Sequence, residues 1–128
     1  MRGCADVNQV VEIPADSFER VVKGSDKPLI VEFWIKSCGN CQKFRPVYEK
    51  LPEIFSDKVE FLKMNMFLSL ENLKLAEGLG VEETPTVELF CNGREIGQII
   101  GYRSLDEVVR EIEEILEREQ YCQGQSAQ

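Results

Sequence analysis

The sequence has no histidine, a single tryptophan and five prolines among its 128 residues, and it contains no long apolar run. Without histidine, a zinc site needs closely spaced cysteines, and the five cysteines form only one close pair. We therefore expect no metal, and we expect no cofactor. No stretch approaches the roughly 20 apolar residues of a membrane-spanning helix. The first seven residues also lack the apolar segment of a signal peptide, so we predict a cytoplasmic protein.

The charge balance is acidic, with 23 Asp and Glu residues against 15 Lys and Arg and a formal net charge of −8. Nucleic-acid binding needs a basic surface, so this balance argues against a nucleic-acid partner. A chain of this length is expected to form one domain around one core. We predict an N-terminal leader over residues 1–9, the domain over residues 10–119 and a disordered polar tail over residues 120–128.

The cysteines are odd in number and mostly far apart, which argues against a secreted scaffold held by disulfides. We predict that Cys4 and Cys122 are free thiols near the chain ends and that Cys91 is an exposed free thiol. The other two, Cys38 and Cys41, form a Cys-x-x-Cys motif and are the candidates for chemistry.

The position of this pair is more informative than the motif alone. An apolar run over residues 28–35 predicts a buried strand before it, and residues 43–51 have helical character after it. Cys38 is then near a helix N-terminus, where free backbone N–H groups and the helix dipole stabilise a thiolate. Cys41 lies one turn further on the same face, within reach of a disulfide. This placement predicts a redox site.

The hydrophobic pattern predicts an α/β fold in the order β-α-β-α-β-α-β-β-α, with a mixed central sheet and helices on both faces. Asn92-Gly93 predicts a tight hairpin, and Ser104 with Glu107 predicts a capping box. The pair falls at the carboxyl end of a central strand, where open sheets place their sites. The predicted strands cover residues 10–13, 29–35, 59–64, 86–91 and 95–101, and the predicted helices cover residues 15–23, 38–55, 68–77 and 105–119. We expect kinks at Pro46 and Pro52 in the second of these helices.

Over residues 10–119 the chain resembles thioredoxin. The Cys-x-x-Cys pair alone would be weak evidence, but it occurs with other motifs at the family's spacing. These motifs are Val31-Glu32-Phe33-Trp34, Cys38-Gly39-x-Cys41, Pro46, Lys63, Glu83-Thr84-Pro85-Thr86, Phe90-x-Asn92-Gly93 and Gly101.

The resemblance implies that Cys38 is the attacking thiolate and Cys41 the resolving thiol. It implies that Pro85 follows a cis peptide bond, although an ordinary proline opening a strand is the alternative. For Gly101, the alternative to close approach of the substrate is simple strand termination. The residues that the resemblance places against substrate are Trp34, Gly39, Asn40, Thr84, Pro85 and Gly101.

Three positions depart from the usual family pattern. Asn40 replaces a proline, which frees a backbone N–H and should change the reduction potential of the pair. Ser37 replaces a second tryptophan and makes the docking surface smaller and more polar. Glu32 replaces a buried aspartate. We expect Glu32 to accept the proton of Cys41, with a pKa raised toward neutrality and Lys63 moderating the shift; the alternative is a structural ion pair with Lys63.

The expected function is reduction of protein disulfides by an electron carrier of cell redox homeostasis. Its expected partners are a separate thioredoxin reductase and disulfide-containing clients, and we expect a monomer. Two alternatives stay open: a glutaredoxin-like or isomerase-like redox protein, and a non-enzymatic adaptor with the same fold.

One further residue is unusual. Glu88 falls mid-strand in an apolar run, where we expect a nearby lysine or arginine, or partial solvation, to balance its charge.

Overall fold

Five strands form one mixed sheet in the computed structural model, which describes residues 9–119. The strands are β1 (Val11–Glu12), β2 (Leu29–Trp34), β3 (Glu60–Asn65), β4 (Thr86–Cys91) and β5 (Arg94–Ile100). Their order in the sheet is β1-β3-β2-β4-β5. The pairs β1–β3 and β3–β2 are parallel, whereas β2–β4 and β4–β5 are antiparallel. The predicted α/β fold with a mixed sheet is confirmed. The predicted leader and tail lie almost entirely outside the described residues, as do Cys4 and Cys122.

The helices are α1 (Ala15–Gly24), α2 (Gly39–Tyr48), α3 (Leu51–Phe55), a 3₁₀ turn (Ser56–Lys58), α4 (Leu70–Gly78) and α5 (Leu105–Arg118). The region predicted as one kinked helix over residues 38–55 is two helices, because α2 ends at Tyr48 and α3 starts at Leu51. The interruption lies just before Pro52, whereas α2 continues through Pro46. Pro52 lies in the first turn of α3, where backbone N–H groups have no acceptor within the helix. The lack of an N–H in proline therefore costs α3 no hydrogen bond. Within residues 9–119 no helix is long and apolar enough to cross a bilayer.

Local sequence signals set two of the boundaries as predicted. Asn92 and Gly93 have φ angles of 56° and 79°, the positive values that a tight hairpin turn requires. The Ser104 hydroxyl accepts from the Glu107 N–H at 3.3 Å, and the Glu107 carboxylate accepts from the Ser104 N–H at 3.0 Å. This capping box satisfies donors that would otherwise be unpaired at the start of α5.

The sheet has a hydrophobic core on each face. Successive side chains of β2 enter the two cores in turn, Ile30 on one face of the sheet and Leu29 and Val31 on the other. Helices α2, α3 and α5 cover the Ile30 face, and α1 and α4 cover the opposite face. Tyr48, the last residue of α2, is buried and donates to the Leu62 carbonyl at 2.7 Å. This bond fixes the end of α2 against β3 and helps to hold the helix that carries the cysteines.

Two predictions about β4 are wrong. Cys91 is not an exposed free thiol, because its side chain is buried and takes part in a disulfide. Glu88 is fully buried rather than partly solvated, and its polar neighbours are Gln98 and Glu95 instead of a lysine or arginine. Burial and the nearby Glu95 carboxyl raise the pKa of Glu88 to about 8. Protonation therefore substitutes for the expected countercharge.

Candidate active site

The junction of β2 and α2 positions the two cysteines. Strand β2 ends at Trp34, and Cys38 is the N-cap residue of α2. The Cys38 sulfur accepts a hydrogen bond from the Cys41 N–H at 3.0 Å, so the thiol itself caps the helix. Cys38 is partly exposed and Cys41 is buried, and both are free thiols. The predicted placement of the pair on a strand-to-helix junction is therefore confirmed.

The loop before β4 lies directly against Cys38. The Cys38 thiol donates to the Thr84 carbonyl oxygen at 3.4 Å. The peptide bond between Thr84 and Pro85 is cis, as predicted. Next to it, the Gly101 N–H donates to the Pro85 carbonyl at 2.8 Å, and Gly101 has a φ of 92°, which favours glycine. Thr84 thus contacts Cys38 from a distant part of the sequence, and the adjoining Pro85 is bonded to Gly101.

The two thiols have opposite pKa shifts. Partial burial alone would raise the pKa of Cys38, but hydrogen bonds from the Cys41 and Thr84 side chains and from the N–H groups of Cys41 and Asn40 lower it. Burial is the largest cause that raises the pKa of Cys41 to about 11, with the nearby Cys38 thiol adding to it. Cys38 is therefore the thiol that ionises first.

Glu32 lies behind the cysteines on β2, with 4% of its surface exposed. Burial raises its pKa to about 8, and the positive charge of Lys63 is the main opposing influence. Lys63 is the residue that pairs with Glu32 across β2 and β3. The raised pKa and the moderating lysine agree with the sequence prediction, although the shift passes beyond neutrality. Glu32 is consequently mostly protonated at neutral pH.

A cavity of about 480 Å³ opens between α2 and the sheet beside Cys41. Glu32, Trp34 and Cys41 line it together with Ile35, Lys36, Gln42, Arg45 and Lys63. Its volume far exceeds the space of one water molecule, and its lining is partly polar. The cavity therefore has room for water beside both the Glu32 carboxyl and the Cys41 thiol.

Trp34 adjoins this cavity and is held by a residue that the sequence did not single out. The Trp34 indole N–H donates to the Glu12 carboxylate at 3.2 Å, and the Lys63 ammonium lies 5.5 Å from the ring centroid. Glu12 is an exposed acidic residue on a two-residue strand, and nothing in its local sequence distinguishes it. Gly39 and Asn40, both exposed, complete the surface around Cys38. The predicted site residues are thus assembled at one end of the sheet.

A reduced cysteine pair at a helix N-terminus, with a lowered pKa at its first thiol and a buried acid near its second, can exchange with another disulfide. This fold and this site define a thiol–disulfide oxidoreductase. The thioredoxin family model matches residues 9–114, and the chain belongs to the thioredoxin family.

Relatives and solved structures agree with this assignment. The chain is 34% identical over 101 residues to the thioredoxin of Alicyclobacillus acidocaldarius subsp. acidocaldarius, covering 79% of this chain and 92% of the relative. It is 40% identical over 95 residues to the thioredoxin of Rickettsia typhi, covering 74% and 85%. The crystal structure of thioredoxin f from spinach chloroplast (short form) aligns with a TM-score of 0.75 and 32% identity, over 84% of this chain and 94% of that one. The protein is therefore an oxidoreductase that acts on disulfide-containing client proteins.

Proposed function

We propose that the protein works as a protein-disulfide reductase in which Cys38 attacks and Cys41 resolves. The observation that carries this proposal is the hydrogen-bonded Cys38 sulfur at the start of α2, next to the Thr84 carbonyl. The lowered pKa of Cys38 favours its thiolate form, and the partial exposure of Cys38 makes the sulfur accessible to a client. The raised pKa of Cys41 keeps that thiol protonated until the second step.

The reaction consists of two exchanges. The Cys38 thiolate attacks one sulfur of the client disulfide, forms a mixed disulfide and releases the other client sulfur as a thiolate. Cys41 then loses its proton and attacks the Cys38 sulfur, which forms the Cys38–Cys41 disulfide and releases the second client thiolate. Two electrons pass from the cysteine pair to the client. The short Cys-x-x-Cys spacing makes the second step intramolecular and fast.

Glu32 is the proposed acceptor of the Cys41 proton, through water in the adjoining cavity. A carboxylate with a pKa near 8 is a much stronger base than an ordinary glutamate, whose usual value is 4.5. Lys63 limits the shift and so retains some ionised Glu32 near neutral pH. The alternative, a structural ion pair of Glu32 with Lys63, makes a different kinetic prediction, which is given in the Discussion.

The client would bind along the edge formed by the cis-proline loop and the start of α2. The Thr84 backbone is suited to pair with an extended client segment, as in strand addition. Gly101 has no side chain to obstruct that segment, and Pro85 would face the client disulfide. The remaining proposed client contacts are Trp34, Gly39 and Asn40.

The oxidised protein must be returned to the dithiol state by a donor of two electrons. We propose a separate thioredoxin reductase as that donor, so that the protein serves as an electron carrier in redox homeostasis. We also propose that it acts as a monomer in the cytoplasm. The membership of the chain in the thioredoxin family supports a dependence on an external reductase.

Insulin reduction with dithiothreitol as the electron source tests the proposal. The wild type should accelerate the precipitation of the insulin B chain, and Cys38→Ser should abolish that acceleration. Ser37→Ala is a suitable control because it alters an exposed neighbour without removing a thiol. An adaptor would bind oxidised client without reducing it, and such a result would refute the reductase proposal. Replacing dithiothreitol with glutathione separates a glutaredoxin-like activity from the proposed one.

A further inference from the structure

Glu12 joins three strands at the active-site end of the sheet. Its two carboxylate oxygens accept different hydrogen bonds, one from the Trp34 indole N–H at 3.2 Å and one from the Asn65 backbone N–H at 2.7 Å. Trp34 and Asn65 are themselves paired in register at the ends of β2 and β3. One side chain on β1 therefore fixes both members of the last pair of the neighbouring strands.

The bond to Asn65 replaces a missing strand contact. The Ile13 N–H donates to the Lys63 carbonyl at 2.9 Å, so the backbone groups of Lys63 and Asn65 point toward β1. Strand β1 ends before it can offer a partner to Asn65. The Glu12 carboxylate takes that place, and a charged acceptor forms a stronger hydrogen bond than a neutral one.

Glu12 also shares Lys63 with Glu32. Glu12 pairs with Lys63 across β1 and β3, and Glu32 pairs with Lys63 across β2 and β3. Residues in register on parallel strands point to the same face, so the three titratable side chains form a row with the lysine in the middle. The other charged groups that act on Glu32 are Arg45 of α2 and Glu49, which follows the last residue of α2. The partner of Glu32 on β4 is the uncharged Val87.

We propose that Glu12 is a positioning residue of the active site. It holds the Trp34 indole beside Lys63 and places a second carboxylate next to the lysine that pairs with Glu32. This placement agrees with the pKa of Glu32, which the charge of Glu12 raises. The inference rests on the proposed role of Glu32 and extends it to β1.

The test compares Glu12→Gln with Glu49→Gln. Glu49 is a matched control because its charge also raises the pKa of Glu32, whereas its carboxylate bonds Arg45 and not Trp34 or Asn65. The Glu32 carboxyl is titrated by NMR, and the emission of Trp34 is read directly because it is the only tryptophan. Glu12→Gln should lower the Glu32 midpoint by roughly half a pH unit and change the emission of Trp34. Glu49→Gln should lower the midpoint and leave the emission unchanged.

Glu12→Asp separates the effect of the negative charge from the effect of the two hydrogen bonds. The shorter carboxylate keeps the negative charge but cannot span Trp34 and Asn65 together, so the midpoint should stay near that of the wild type while the emission changes. The proposal is overturned if Glu12→Gln moves neither quantity, or if it behaves like Glu49→Gln in both. These readouts do not depend on turnover. A wild type that fails to reduce insulin would refute the proposed function and would still leave the role of Glu12 decided.

Discussion

The Cys38 thiol and the Thr84 carbonyl oxygen lie 3.4 Å apart, and the thiol is the donor. A thiolate has no proton to donate, so ionisation of Cys38 releases the Thr84 carbonyl from this bond. The same event that creates the nucleophile therefore frees an acceptor for the N–H of an incoming client strand. Chemical activation and client binding are coupled through two residues that are 46 positions apart in sequence.

We predict that alkylation below neutral pH labels Cys38 and not Cys41. Cys38 is partly exposed with a lowered pKa, whereas Cys41 is buried with a pKa of about 11. The difference in thiolate population should make labelling of Cys38 at least roughly tenfold faster. Brief reaction of the reduced protein with iodoacetamide followed by peptide mapping measures the ratio. Preferential labelling of Cys41 would reverse the two roles.

Cys41→Ser should accumulate mixed disulfides between Cys38 and client proteins. Attack by Cys38 remains possible in this variant, but no thiol is available to displace the client. Non-reducing gel electrophoresis after incubation with an oxidised client should show a conjugate that dithiothreitol removes. Cys38→Ser is the control and should give no conjugate. A conjugate in that control would identify another cysteine as the nucleophile.

Asn40→Pro should make the reduction potential more negative by roughly 20 mV. The Asn40 N–H is one of the donors that lower the pKa of Cys38, and proline has no N–H. Loss of that donor weakens the reduced thiolate form, and 30 mV corresponds to about 1.4 kcal/mol for this couple. Equilibration in graded redox buffers measures the potential. Asn40→Ala retains the N–H and should stay close to the wild type; equal shifts in both variants would exclude the backbone donor as the cause.

Most of the fold follows from local patterns in the sequence. The apolar runs of the central strands, the Asn92-Gly93 turn and the capping box at Ser104 all act over a few residues, and each is found where it was predicted. Kinks were predicted at Pro46 and Pro52 within one helix, and the outcome differs at the two prolines. The helix continues through Pro46, whereas before Pro52 it ends and a second helix begins. The chain at Glu49 keeps helical dihedral angles, so the position of this break depends on the hydrogen-bonding pattern.

The residues of the site also fall into two groups, those that sequence motifs identify and those whose roles depend on tertiary contacts. Cys38, Pro85 and Glu32 could be placed because each belongs to a motif of the family. Glu12 could not, because its role depends on contacts made across three strands by an otherwise ordinary glutamate. Glu88 was recognised as unusual from the sequence. The raised pKa that favours its protonated form depends on burial and on the nearby Glu95, which are tertiary contacts that no local pattern encodes.

Glu88→Gln should stabilise the protein at alkaline pH. The pKa of Glu88 is raised from 4.5 to about 8, so the folded state holds this proton more tightly than the unfolded state. The associated stability is fully present below pH 4.5 and is lost as the pH rises through about 8. Above that value, glutamine should raise the free energy of unfolding by ~2 kcal/mol, since it avoids burying a charge. Urea denaturation at several pH values measures the effect.

Glu95→Gln provides a matched comparison for Glu88. Removing the Glu95 carboxyl takes away one cause of the raised pKa, so the loss of stability with increasing pH should be smaller than in the wild type. Gln98 still donates to Glu88 in this variant. If neither substitution changes the pH dependence of unfolding, the buried carboxyl of Glu88 does not titrate in this range.

Glu32→Gln should slow resolution of the mixed disulfide by roughly tenfold or more and flatten its pH profile, because general-base catalysis is worth at least that much. In the wild type, the ionised fraction of Glu32 increases toward its pKa of about 8, so resolution should accelerate between pH 6 and 8. Attack by Cys38 should keep its wild-type rate. Rapid mixing with a chromogenic aromatic disulfide separates the two steps, as the first client thiolate absorbs on release.

Glu32→Asp is the control, because it retains a carboxylate and should preserve part of the pH dependence. Stability gives a second measure with a known sign. Since the folded pKa of Glu32 is raised, its contribution is complete below pH 4.5 and is lost as the pH passes about 8, so glutamine should stabilise the fold at alkaline pH. If Glu32→Gln changes stability in this way but leaves both rates and their pH dependence as in the wild type, Glu32 is only the structural partner of Lys63. Solvent would then accept the Cys41 proton.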